Sequence, residues 1–297
     1  MNKHQKTFKL TALFGLILSL FTSAANAQTP GQSVLWKVSG NGLTKPSYLF
    51  GTIHINCDTA YTNKASIKSA IKACDYVITE LNLTSYDELV KMYKASMDSS
   101  YTPLKSIYTA KEYKLIDSVS NALLGRSAST LDGRSPMGIS MMFYTSPSIM
   151  GCTEMSSIDM QITNWARIYG KQVDAFETFD FQDSILKSIS AKEQAAWLLD
   201  FCKDINKGKT DFKKMMALYK AYDLAGLYKH LMTSPEMKTY EDMMLNSRNA
   251  TWVEIIKANM KEIPMFVAVG AGHLGGQNGL IQLLRSAGYT VTAVPIK

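Results

Sequence analysis

Histidine is scarce in this chain, at four of 297 residues, and charged side chains make up only 19% of it. No apolar run approaches the roughly 20 residues that a membrane-spanning helix needs. The four cysteines, Cys57, Cys74, Cys152 and Cys202, include no C-x-x-C pair. A structural zinc site or a thioredoxin-type motif therefore lacks its usual spacing. No basic patch is interleaved with aromatics, so the sequence carries no signature of a nucleic-acid partner. Eighteen Gly and eight Pro beside 46% hydrophobic residues exclude a fibrous or disordered chain. What remains is a globular protein in which a few polar groups must carry the chemistry.

At the N-terminus, Lys3, Lys6 and Lys9 precede an uncharged run from Leu10 to Phe21, and Ala25-Asn26-Ala27 follows before Gln28. A basic start, a short apolar core and an A-x-A site are the three parts of a secretory signal peptide. Residues 1–27 are thus expected to be cleaved and residues 28–297 to form one exported domain, periplasmic or secreted, with no membrane span. No Cys follows the apolar core to accept a lipid. Cleavage removes three Lys and no acid, which takes the formal charge from +7 to +4. An oxidising compartment lets thiols pair. Four cysteines then fit two disulfides in any of three connectivities, or stay as buried thiols.

Strand character is read at 34–39 and 47–53, with a Gly- and Pro-containing turn between them. Ile67, Ala70, Ile71 and Cys74 fall on one helix face, and 76–81 is a β-rich run ending near Glu80. The middle of the chain is helical by pattern, over 85–97, 110–124, about 137–146 and 156–169, where Gly170 supplies a stop. A strand at 172–176 ends at Glu177. Helices then run from about 181 to 261, with breaks expected near Gly208 and at Ser234-Pro235. The C-terminus returns to strand, helix, strand over 264–269, 280–287 and 289–294. The fold class is therefore α/β: a central sheet built from N- and C-terminal strand-helix-strand segments, closed across a large helical middle section.

Two of the three histidines beyond residue 27 share one context: Phe50-Gly51-Thr52-Ile53-His54 and Val269-Gly270-Ala271-Gly272-His273. Each is an apolar strand, a Gly, and a His three residues later. Glycine would let the backbone turn sharply and present the imidazole at the carboxyl edge of a sheet. Glu80 and Glu177 close other strands in the same way, and a buried acid needs a cation, a proton or strong donors. Two imidazoles and one or two carboxylates are the usual ligands of a divalent metal that activates water. Single strand-end histidines also serve as turn residues, and either acid could cap a helix. His230 lacks this context and is read as structural or exposed. Arg248, at the start of a helix with Asn249 and Trp252, could anchor a carboxylate or face solvent.

These residues bring a resemblance into view. Leu35-Trp36-Lys37-Val38, the segment Ser47 to His54, Glu80, Phe176-Glu177-Thr178 with Gln182, Arg248-Asn249, and Val267 to Leu274 resemble, in order, the TraB/GumN family, which is related to the Tiki metalloproteases. The resemblance spans roughly 34–294. It implies a fold similar to the erythromycin esterase and ChaN-like superfamily. From the Tiki branch it implies peptide-bond hydrolysis dependent on a divalent metal, Mn or Co, with Zn also compatible. Carried over by position, His54, Glu80 and His273 become the metal set, and Glu177 and Arg248 line the same pocket. It further implies a Cys57–Cys152 disulfide, leaving Cys74 and Cys202 for a second bridge.

The expectation is an exported metal-dependent hydrolase acting on a peptide or protein, with Glu177 or Glu80 as general base. The alternative is a non-catalytic periplasmic protein that sequesters a peptide, haem or metal. Substrate and oligomeric state leave no mark in the sequence.

Overall fold

The structure, a computed structural model, describes residues 32–96 and 100–297. The expected signal segment lies outside these residues. Six apolar or alternating runs become strands: β1 (Leu35–Ser39), β2 (Ser47–Thr52), β3 (Tyr76–Leu81), β4 (Gln172–Glu177), β5 (Met265–Gly270) and β6 (Thr290–Ala293). They form one sheet in the order β4-β3-β5-β2-β1-β6. β4, β3, β5 and β2 run parallel, while β1 pairs antiparallel with β2 and β6. Met265 to Val269 are fully buried, as expected of a central parallel strand covered on both faces. The outer strand β4 leaves Gln172 and Asp174 exposed and has no fully buried residue. One α/β sheet closed by distant segments, with helices filling the middle, is the architecture the pattern implied.

Two hydrophobic cores divide the chain. The first surrounds the sheet and includes Ile67, Ile71, Cys74, Ile158, Ile162 and Trp252. The second lies among helices of the middle section and includes Leu104, Ile116, Leu131, Phe143, Leu198 and Cys202. This division corrects the second cysteine pair: Cys74 and Cys202 are buried free thiols, each packed in a different core. Cys57 and Cys152 do form a disulfide, with Cα atoms 6.0 Å apart.

Two other expectations need correction. Gly208 lies inside the helix Ile205–Lys220 rather than at a break, which falls four residues earlier at Asp204. Asp204 has non-helical dihedrals, and its side chain accepts from the Lys207 amide, an N-cap that starts a new helix. Gly208 is there for space, since a Cβ would come within 2.7 Å of the Phe201 ring. Nor do Gly51 and Gly270 make sharp positive-φ turns, because neither is among the glycines with φ above zero. A Cβ on Gly51 would lie 3.1 Å from Ala271, so its role is close approach of one G-x-x-H segment to the other.

Strand register decides where the polar ends meet. Thr52 pairs with Gly270, Thr79 with Ala268, and Leu81 with Glu177. The four parallel strands therefore finish level at one carboxyl edge, where ligands bind in open α/β sheets. β5 is central, with β2 on one side and β3, then β4, on the other.

Candidate functional site

Each strand contributes its polar residue at that edge. Glu80 is the penultimate residue of β3 and Glu177 the last of β4, while His273 ends a single 3-10 turn after β5. His54 stands two residues beyond β2. Glu80, Glu177 and His273 have side chains only 5–8% exposed, whereas that of His54 is 69% exposed. The edge thus holds a buried cluster with one imidazole at its open side.

Arg248 joins the buried cluster from the helix Ser247–Asn259. A π-helical turn, Asp242–Asn246, precedes it, a rare element that often marks functional positions. Its Nη2 donates to Glu80 Oε2 at 2.7 Å and to Glu177 Oε2 at 2.8 Å, and Nε donates to Glu177 Oε1 at 2.9 Å. Trp252, one helical turn on, donates from Nε1 to Glu177 Oε1 at 3.0 Å and lies under the guanidinium at 4.7 Å. Gln182, in the first turns of the helix after β4, donates to Glu177 and Glu80 at 3.0 and 3.3 Å. The Gly270 amide donates to Glu80 Oε1 at 2.7 Å. Every carboxylate oxygen in the cluster therefore meets a donor, which is what burying two acids requires.

The two imidazoles are each held from behind. His273 Nδ1 lies 2.7 Å from Asn249 Oδ1. The Asn249 amide nitrogen donates to the carbonyls of His273 and Asn278, which fixes Oδ1 as the atom facing the ring. Nδ1 therefore carries the proton and Nε2 the lone pair, 3.8 Å from Glu80 Oε1. His54 Nδ1 lies 3.1 Å from Asp159 Oδ2, and Thr52 Oγ1 donates to the other Asp159 oxygen at 2.7 Å. An oxygen acceptor behind the ring is the usual support of a metal-ligating histidine.

Protonation follows these surroundings. Burial pushes the His273 pKa down to about 4, and the neighbouring Arg248 cation acts in the same sense. The Asp159 hydrogen bond and charge raise His54 to about 9. Burial opposes ionisation of Glu80, but positive charge on His273, His54 and Arg248, with the Gly270 amide, holds it at about 2. Because His273 is neutral above about 4, Arg248 is the permanent cation of that set.

Of the residues anticipated from sequence, Glu80, Glu177, Arg248 and His273 form one hydrogen-bonded cluster. His54 is not bonded into it, although it interacts electrostatically with Glu80 and His273. His230 is not bonded into the cluster and instead bonds the Asp211 carbonyl through Nε2. Sequence reasoning missed Asp159 and the roles of Asn249, Gln182 and Trp252. Asp159 left one signal: an acid beside Ile158 on the apolar side of its helix, where a carboxylate needs a reason.

A metal can be tested against these donors. Among the described residues, no three His, Cys, Asp or Glu side chains are gathered as a ready metal site. The donor chemistry fits: an ionised carboxylate and a lone-pair Nε2 stand 3.8 Å apart. Two donors each about 2.1 Å from one ion can lie up to about 4.2 Å apart. His54 is the remaining imidazole of the right support and exposure.

The sequence model of the TraB/PrgY/gumN family matches residues 34–293, nearly the whole chain. The chain belongs to this family. No curated protein and no solved structure matches it.

Proposed function

We propose that this member of the TraB/PrgY/gumN family is an exported, divalent-metal-dependent hydrolase, most concretely a peptidase. The observation that carries the reading is the matched support of two strand-end imidazoles, by Asp159 and Asn249, at the edge that also holds the ionised Glu80. His54, Glu80 and His273 would hold the ion, Mn or Co by the family resemblance, with Zn compatible with the same donors. When bound, it would supply a water activated near neutral pH and polarise a substrate carbonyl.

The chain's own residues prepare that chemistry. Asn249 keeps the proton of His273 on Nδ1, and Asp159 does the same for His54 when that ring is neutral. Glu177 accepts from Arg248, Trp252 and Gln182, which suits holding Arg248 in place. The Cys57–Cys152 disulfide and the Asn56–Ser156 bridge tie the segment carrying His54 to the one leading into Asp159. A disulfide suits the oxidising compartment that export would supply. No helix among the described residues is long and apolar enough to cross a membrane.

Metal analysis of purified protein, with His54→Ala and His273→Ala alongside, tests the metal reading. We expect both variants to lose bound metal and turnover, the latter on the order of 10³-fold. Full metal content and activity in both would sink it. Incubation with a peptide library followed by mass spectrometry tests turnover. New termini mark a peptidase, whereas retained metal without new termini marks the sequestering alternative.

A further inference from the structure

Arg248 has five N–H donors, and all five are engaged. Nε–H goes to Glu177, the two Nη2 hydrogens to Glu80 and Glu177, and the two Nη1 hydrogens to the Met244 carbonyl at 2.8 Å and His273 Nε2 at 3.2 Å. The last contact is decisive. Asn249 fixes the ring proton on Nδ1, so Nε2 has a single lone pair, and Arg248 is using it. A nitrogen cannot accept that hydrogen bond and coordinate an ion at once.

Charge points the same way. Glu80 and Glu177 bring two negative charges into a cluster whose side chains are 6–11% exposed, and Arg248 returns one positive charge. Without the guanidinium, two neighbouring buried carboxylates would be unpaired, an expensive arrangement. A divalent ion beside Glu80 and His273 would supply the missing positive charge by another route. Arg248 would still keep its two-point contact with Glu177 and its seat on Trp252.

Resting on the metal reading above, we propose that Arg248 is a resident cation that holds Glu80 and His273 in place while no ion is present, and that an entering divalent ion must displace it from both. The arginine therefore competes with the metal, although both occupy the same cluster for the same electrostatic reason. A residue that merely supported the metal site would have the opposite effect on affinity when removed.

The test is calorimetric titration of Mn(II) into the full mature chain and its Arg248→Ala and Arg248→Lys variants, with thermal midpoints measured in chelator and in excess Mn(II). We expect Arg248→Ala to bind Mn(II) roughly tenfold tighter or more. Its midpoint should fall in chelator and recover on Mn(II) addition by more than the unsubstituted protein gains. Arg248→Lys keeps one charge but reaches fewer acceptors, and should fall between. If Arg248→Ala does not fold in chelator, Arg248→Lys decides the affinity comparison. Unchanged or weaker Mn(II) binding in the variants, with binding intact in the unsubstituted protein, would overturn the competition alone. Absence of Mn(II) binding in all three would instead overturn the metal reading, and this inference with it.

Discussion

His54 and His273 end the same local motif on neighbouring parallel strands, yet one side chain is 69% exposed and the other 5%. His54 backs onto a carboxylate, Asp159, and is pushed toward the protonated form. His273 backs onto the neutral amide of Asn249, faces Arg248, and is pushed toward the neutral form. The motif delivers an imidazole to a sheet edge. Surroundings from elsewhere in the chain then decide which proton state the imidazole prefers: burial for His273 and the Asp159 hydrogen bond for His54.

The largest perturbation of this contrast should come from the disulfide. Cys57 and Cys152 close a 95-residue separation that joins the His54 side to the Asp159 side. Replacing both with Ser should cost about 4.7 kcal/mol by loop entropy, measured by denaturant unfolding. It should also move His54 toward its ordinary pKa while leaving His273 unaffected. An equal change at both rings would show that the two environments are not independent.

Truncating the rings should separate them next. His273→Ala removes a ring packed 4.4 Å from Trp252 and strands Asn249 Oδ1, a loss of about 2–3 kcal/mol. His54→Ala should change stability by no more than about 0.5–1 kcal/mol because its ring faces water. Equal losses would mean that exposure is not what distinguishes them.

Exchanging the partners should narrow the contrast without removing either ring. Asp159→Asn should return His54 toward about 6.5, and Asn249→Asp should raise His273. Titration of the ring proton resonances by NMR reads both, and a His54 shift that survives Asp159→Asn would reject Asp159 as its cause.

The contrast also sets the pH dependence of stability. His273 has a folded pKa below the ordinary value, so its contribution is present above about 6.5 and is lost as the pH falls toward about 4. Glu80 adds a loss in the same direction from its ordinary 4.5 down to about 2. His54 is raised, so its contribution is present below about 6.5 and is lost as the pH climbs through about 9. Water around the exposed ring makes that alkaline slope shallow. Denaturant midpoints across pH should lose the acid slope between 6.5 and 4 in His273→Ala and the alkaline one in His54→Ala.

Much of the scaffold was legible because it rests on local chemistry. A short apolar run such as Phe266 to Val269, with β-branched and aromatic residues beside Pro264 and Gly270, favours a buried strand. Ile67, Ala70 and Ile71 make one helix face by spacing alone, and Gly170, with φ of 63°, ends a helix where a side chain would be strained. Glu80, Glu177 and the two histidines stood out because polar groups closing apolar strands need partners. Gly208 misled because glycine marks both a break and a tight contact, and only the Phe201 ring beside it tells which. Asp159 was nearly silent, being one acid on a helix that reaches His54 through tertiary packing.

The sequence by itself determined that this chain forms an α/β sheet, that two histidines and two acids stand at strand ends, and that its polar groups are few. These follow from periodicity and from the cost of burying charge, which act over short stretches. Tertiary structure alone decided that the four strands finish level, that Cys74 and Cys202 lie in separate cores, and that Arg248 sits on Glu80, Glu177 and His273. It also shifted the two imidazole pKa values in opposite directions. Those outcomes depend on which groups meet across distances of up to 218 residues, as Met265 meets Ser47, and hydrogen bonds and charges act only between groups that the fold has already brought together.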